Sequence, residues 1–224
     1  MKCAAIVVAA GSGSRIKSEI PKQLRRLGGI PLFLWSLRVF QKMERVNEIL
    51  LVVPRDKTGA FRELLPDGLA VKWVAGGPRR QDSVRAGLEV VSRDVQMVLI
   101  HDAARPFFSP QMVDRLIDTA AEQDAAIPVA PVSETLKEVS QGRVVRTLSR
   151  ENIFRAQTPQ AFRRQALMEI FQSVPQERTW TDEASMFEFA GVPVAAVEGD
   201  QRNIKITFAE DFHYAEYLLS QKGI

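Results

Sequence analysis

The residues of this chain best suited to chemistry lie in one glycine-rich loop. Gly11 and Gly13 follow the apolar run Ala4–Ala10, and the cations Arg15, Lys17 and Lys22 come close behind. Glycines at the end of a buried strand let backbone N–H groups approach an anion with no side chain between them. Arg15 inside the loop and Lys22 just after the rigid Pro21 are placed to meet charge that builds on phosphorus. The dinucleotide fingerprint and the Walker A loop would each need glycine at position 16, where Ile16 stands. On spacing alone two readings remain: a phosphate-holding loop, or a flexible turn with solvated cations.

A second candidate is Asp102, an acid directly after the apolar run Met97–Ile100 and His101. A carboxylate at a strand's carboxyl end suits Mg²⁺, which takes one or two carboxylates with phosphate oxygens. It also suits an Asp that caps a helix or pairs with Arg105. His101 reads as a structural neighbour and not as a base. Asp182 and Glu183 read as the opening of a helix, capped by Thr181 or Asp182. Lys205, between Ile204 and Ile206, points opposite to its neighbours if the segment is a strand, toward either a cleft or solvent. Trp35, Trp73 and Trp180 read as packing or rim residues.

The elements that must position these groups follow an α/β rhythm. Strands are expected at Ala4–Ala10, Glu48–Val53, Ala70–Val74, Met97–Ile100 and Ala125–Ala130. Helices are expected at Leu32–Met43 after Pro31, at Thr58–Leu65, from a cap at Asp82 or Ser83 to about Val91, and at Pro110–Gln123 capped by Ser109. This alternation predicts a Rossmann-like, mostly parallel sheet covered by helices on both faces. After Pro131 the pattern changes. Glu134–Val139 and Arg143–Ser149 alternate around Ser140-Gln141-Gly142, which predicts a protruding β-hairpin. With few large apolar residues the hairpin buries little alone, so it is expected to project or to pack on another chain. Helical and strand patterns resume from Arg163, and the last helix is expected at Ala209–Gln221. A single domain, 1–224, with an arm at 134–150 fits best.

Composition narrows the function classes. One cysteine, Cys3, and two histidines exclude an internal disulfide and any Cys/His zinc cluster, so metal chemistry must use carboxylates and a hard cation. A net charge of +3 without a long basic run does not suggest a nucleic-acid partner. No apolar stretch reaches the ~18 residues of a membrane span. The MKCAAIVVAAGSGS start reads as a first strand and its loop, not as a signal peptide, and the expected place is the cytoplasm.

Six blocks in order then carry a resemblance: AAGSGSRIKSEIPKQL (Ala9–Leu24), AGGPRRQDSVRAGL (Ala75–Leu88), HDAARPF (His101–Phe107), TLSRENIFRAQTPQAF (Thr147–Phe162), TDEAS (Thr181–Ser185) and EGDQRNIKIT (Glu198–Thr207). The first resembles the signature loop of sugar-phosphate nucleotidyltransferases. Together they resemble the 2-C-methyl-D-erythritol 4-phosphate cytidylyltransferases of non-mevalonate isoprenoid synthesis. The resemblance implies transfer of CMP from CTP to a sugar-alcohol phosphate, with magnesium, by a homodimer whose arms complete the active sites. It implies Arg15 and Lys22 as transition-state stabilisers, and Ala9, Ala10, Gly11, Gly13, Gly77, Arg80, Ser83 and Ala103 around the nucleotide. It implies Asp102 on the metal and substrate side, Arg105, Thr181 and Lys205 near the sugar phosphate, and Thr135 and Arg150 reaching the partner's site. Pro78 departs from the family, which often has an acid there, so base recognition must rest on backbone groups and Ser83. A ribitol-5-phosphate cytidylyltransferase and a non-catalytic nucleotide-binding regulator are the alternatives. HDAARPF, Lys137 and TDEAS favour the methylerythritol enzyme. Since the chain closes soon after its last helix, fusion to the downstream cyclase is not expected.

Overall fold

Alternate residues of the first strand feed two different cores. In β1 (Cys3–Val8), Cys3, Ala5 and Val7 join one apolar cluster, while Ala4 and Ile6 join another on the opposite face. A strand buried on both faces must be apolar throughout, which is why β1 reads as a continuous apolar run. The computed structural model describes residues 1–11 and 20–221, so Gly13, Arg15 and Lys17 of the glycine loop lie outside the described residues.

After a single 3₁₀ turn at Lys22–Leu24, a short ribbon of β2 (Arg26–Leu27) and β3 (Ile30–Pro31) leads into α1 (Leu32–Gln41). Then come β4 (Val46–Val53), α2 (Thr58–Glu63), β5 (Lys72–Ala75), α3 (Arg80–Val90), β6 (Met97–Asp102), α4 (Pro110–Gln123) and β7 (Ala125–Pro131). The hairpin strands β8 (Leu136–Ser140) and β9 (Arg143–Leu148) follow, with β10 (Phe154–Ala156) and β11 (Gln160–Arg163) behind them. The remainder is α5 (Arg164–Ser173), α6 (Glu183–Phe189), β12 (Ala195–Glu198) and α7 (Ala209–Gln221).

The main sheet runs β10-β7-β11-β6-β1-β4-β5, with β12 also paired to β7. The pairs β1–β4, β1–β6, β4–β5 and β7–β12 are parallel. Helices α1, α2 and α4 pack on one face, and α3, α5 and α6 on the other. The expected mostly parallel, helix-covered sheet is therefore the observed one. Two strands break the alternation. β10 and β11 run antiparallel to their neighbours, and β11 lies between β6 and β7. A strand of four residues, QAFR, is too short for periodicity to reveal, and burial of Ala161 and Phe162 in opposite faces holds it there. Phe162 is fully buried against Phe187 at 5.1 Å between ring centroids. Phe162→Ala should lower unfolding free energy by about 3–5 kcal/mol in chemical denaturation.

Local chemistry sets the helix ends. Ser109 Oγ accepts from Met112 N at 3.2 Å, Pro110 follows it, and Asp124 ends α4 with a φ of 64°. The start of α3 differs from expectation. The helix begins at Arg80, and Asp82 lies inside its first turn, where its carboxylate accepts from Arg79 N and Nε at 3.1 and 2.8 Å. Accepting from a backbone donor one turn upstream satisfies that donor without making Asp82 the cap residue.

The hairpin forms its own two-stranded sheet, turned by Gln141 and Gly142 at φ of 50° and 76°. Positive φ at both turn positions matches the twist of the strands. Val139, Val144, Val145 and Leu148 of the ribbon stay exposed, as do Ile153 and Phe154 after it. Lys137 and Thr147, and Glu138 and Arg146, pair across it.

Candidate active site

Parallel strands open a crevice at their carboxyl ends where the strand order reverses and the connections of neighbouring strands run on opposite faces, and ligands of such sheets bind there. Here that point is the end of β1, flanked by β6 and β4. A cavity of about 300 Å³ occupies it, lined among the described residues by Ala10, Gly11, Lys22, Gly77, Arg80, Ser83, Asp102 and Lys205 with their neighbours. Residues more than a hundred positions apart thus meet on one surface.

Lys22 is not solvated. Its side chain is buried, and Nζ donates to the carbonyl of Ile206 at 2.8 Å. Gln23 Nε2 donates to Gly11 O at 3.0 Å, tying the turn after Pro21 to the start of the glycine loop. The strand expected around Lys205 is absent: residues 203–207 are irregular. Ile206 N donates to Ala104 O, which is enough to hold the segment beside β6. Lys205 Nζ then reaches Asp102 Oδ2 at 2.6 Å.

Gly76 and Gly77 owe their identity to crowding. A Cβ on Gly76 would lie 2.4 Å from Ala10 Cβ, and one on Gly77 would lie 2.5 Å from Asp82 Cβ. Ser83 Oγ accepts from Gly77 N at 3.1 Å and so fixes the loop. Pro78 lies at the cavity wall, where its side chain offers no hydrogen bond to a ligand.

Asp102 is paired with Arg80 and Lys205, and not with Arg105. Its Oδ1 accepts from Arg80 Nε at 3.0 Å and its Oδ2 from Lys205. Burial would raise its pKa, but Arg80 and Lys205 outweigh burial and hold it well below the usual carboxylate range. Arg105 turns elsewhere: it donates to Asn203 O and Ala156 O and does not line the cavity. Arg80 also pairs through Nη1 with both oxygens of Glu183, at 2.9 and 2.8 Å. Burial would lower the Arg80 pKa, but the two carboxylates raise it above its ordinary value. Glu183 itself is fully buried, and burial pushes its pKa up. Asp182 caps α6 by accepting from Ser185 N at 3.0 Å, as expected, but no local pattern hints at what its neighbour Glu183 meets. Only the tertiary fold, which brings the start of α6 to the start of α3, joins Glu183 to Arg80.

His101 is a neutral structural residue. Asp102 N donates to Thr158 Oγ1, Thr158 stands 3.1 Å from His101 Nδ1, and Nε2 lies 2.9 Å from Ser36 Oγ and 3.1 Å from Arg105 O. The carbonyl of Arg105 can only accept, so Nε2 carries the proton and Nδ1 accepts from Thr158. Burial drives its pKa down to about 3. Such an imidazole supports β6 and takes no proton at neutral pH.

The remaining expected residues among those described fall outside the cavity. Ala9 and Ala103 are buried backbone anchors whose N–H groups donate to Val52 O and Val8 O. Thr181 is exposed just before α6. Thr135 and Arg150 are exposed at the base of the hairpin, where Arg150 donates to Ser133 O, and neither lines the cavity of its own chain.

Among the described residues a single carboxylate, Asp102, faces this crevice, and no group of three metal-ligating side chains is present. That donor set cannot cage a metal by itself. It fits a hard cation held mostly by substrate phosphate oxygens and water.

The sequence and the fold match known proteins. The family model for IspD, 2-C-methyl-D-erythritol 4-phosphate cytidylyltransferase, matches residues 3–221. The enzyme of that name from Syntrophus aciditrophicus is 40% identical over 227 residues, covering 99% of this chain and 97% of the relative. A bifunctional IspD/IspF enzyme of Desulfotalea psychrophila is also 40% identical, and this chain spans 57% of its length. The crystal structure of the Thermus thermophilus cytidylyltransferase superposes with a TM-score of 0.84 at 33% identity, covering 98% of this chain and 100% of that one. With nearly the whole chain matched, this chain belongs to the 2-C-methyl-D-erythritol 4-phosphate cytidylyltransferase family.

Proposed function

We infer that this chain transfers CMP from CTP to 2-C-methyl-D-erythritol 4-phosphate, releasing pyrophosphate, as its family does. The observation that carries the residue assignment is the convergence of Lys22, Arg80, Asp102 and Lys205 on one crevice beside Gly11 and Gly77. In the reaction a substrate phosphate oxygen attacks the α-phosphorus of CTP in line. The new P–O bond forms as the bond to the β-phosphate bridging oxygen breaks, and pyrophosphate leaves.

The residues divide this work. The glycine loop presents backbone donors to the triphosphate, and the loop at Gly77, fixed by Ser83, presents its backbone to the base. Lys22, with Arg15 from the glycine loop, offsets charge on the equatorial oxygens and the leaving group. Lys205, hydrogen-bonded to Asp102, supplies a cation for the sugar phosphate. Holding two anions in line removes the cost of bringing them together from solution. Asp102 would hold Mg²⁺ together with nucleotide phosphate oxygens, and the ion would supply further neutralisation of the phosphates. Asp102→Asn should therefore lower turnover and shift half-saturating Mg²⁺ upward by at least about tenfold. A variant with unchanged magnesium dependence returns Asp102 to a purely structural role.

The hairpin, 134–150, is proposed as a dimer arm. Its exposed valines and the exposed Ile153 and Phe154 suit burial against an equivalent arm under two-fold symmetry. Thr135 and Arg150 would then reach the crevice of the partner. Cys3, a buried free thiol, suits the reducing cytoplasm, where we place the chain. Pyrophosphate release tests the whole reading, measured with four nucleoside triphosphates against a panel of phosphorylated polyols that includes ribitol 5-phosphate. Preference for CTP and methylerythritol phosphate is expected; preference for another pair overturns it.

A further inference from the structure

Two carboxylates and two cations form one chain that leads from the interior to the crevice wall: Glu183, Arg80, Asp102 and Lys205. The cost of this arrangement points to its purpose. Arg80 is the first residue of α3, where the helix dipole disfavours a cation. Glu183 has no exposed surface, and an ionised carboxylate there is costly unless fully paired. Apolar residues of similar volume would serve stability at least as well. The geometry is instead specific. Nη1 of Arg80 meets both oxygens of Glu183, Nε meets Asp102, and Nη2 is shielded from solvent with no hydrogen-bond partner among the described residues. A guanidinium clamped on two sides keeps its third donor in a fixed direction, and a planar fork held this way loses little freedom when it meets a ligand.

We propose that Glu183 is a positioning residue for nucleotide binding: it orients the Arg80 guanidinium in the crevice and, through Arg80 and Asp102, the Lys205 ammonium. This rests on the cytidylyltransferase reading given above. Glu183 touches no substrate, since it does not line the cavity. Its place at the first position of α6, after the Asp182 cap, fixes its backbone, and the positive end of that helix favours its charge. The segment leading to it is held to α3 as well. Gln81 Nε2 donates to Arg178 O at 2.9 Å, and Trp180 N donates to Gln81 Oε1 at 2.8 Å. The pair Glu183–Arg80 thus sits on a braced joint between α3 and α6, as a positioning contact must.

The test is a double-mutant cycle read in CTP binding by calorimetry and in the CTP KM, using the full chain. Glu183→Gln keeps the shape and removes the charge and one acceptor. It should weaken CTP binding about 10- to 100-fold. In an Arg80→Gln background the same change should cost less than about twofold, because the group it orients is gone. A folded Glu183→Gln with wild-type CTP affinity overturns the proposal, and so does a full additional loss in the Arg80→Gln background. If Glu183→Gln alone does not fold, Glu183→Asp keeps the charge but cannot span both contacts, and the neutral pair Glu183→Gln with Arg80→Gln is compared with Arg80→Gln alone. Unchanged CTP affinity in Glu183→Asp, or a further loss in the pair, overturns the proposal equally. A wild-type chain that neither binds CTP nor releases pyrophosphate overturns the functional reading itself. A wild type that does both beside an unaffected Glu183→Gln overturns only the role of Glu183.

Discussion

Lys22→Ala should reduce turnover about 10²- to 10³-fold, equivalent to roughly 2.7–4 kcal/mol of transition-state stabilisation. The size follows from where the ammonium sits. Lys22 is buried at the crevice wall, beside the start of the glycine loop, so its charge acts with little solvent screening. Its Nζ donates to the carbonyl of Ile206, which helps to hold the ammonium at that wall. Losing the hydrogen bond to Ile206 O costs the fold about 1 kcal/mol, and a thermal melt checks that the variant stays folded. The measurement is single-turnover CMP transfer beside a thermal melt. A folded Lys22→Ala chain with near-normal turnover sinks the assignment. Arg15→Ala is expected to behave similarly.

Mixing a Lys22→Ala chain with an Arg150→Ala chain should restore activity that neither possesses alone. In a mixed dimer joined by the hairpins, one crevice combines the intact Lys22 of one chain with the intact Arg150 of the other. The other crevice lacks both. Half of the sites in each mixed dimer should therefore work, with each parent dimer reduced to the level of its own lesion. The structural ground is that Arg150 lies at the base of an exposed ribbon and lines no part of its own chain's crevice, although its guanidinium suits a phosphate. Sedimentation should give twice the chain mass. A fully active monomer, or no rescue despite measured subunit exchange, refutes the arm as a source of site residues and leaves the cytidylyltransferase assignment standing.

Much of the architecture was legible in the chain because its elements follow local rules. The doubly buried β1, the Ser109-Pro110 start of α4 and the hairpin turn at Gly142 each announce themselves within a few residues. Gly11, Lys22 and Asp102 could be singled out locally as well: Gly11 comes just beyond β1, Lys22 directly after Pro21, and Asp102 closes β6. The insertion of β11 between β6 and β7, the irregular course of residues 203–207, and the turning away of Arg105 from the crevice were not. Glu183 is the plainest case. In sequence it is one acid at the start of a helix, indistinguishable from many that serve only the helix dipole. In the fold it is a buried anion bidentate to Arg80, a residue 103 positions away. Periodicity and capping act over a few residues and are written locally. Which charges meet across a crevice is decided by how helices on one sheet face pack together, and that information exists only once the chain has folded.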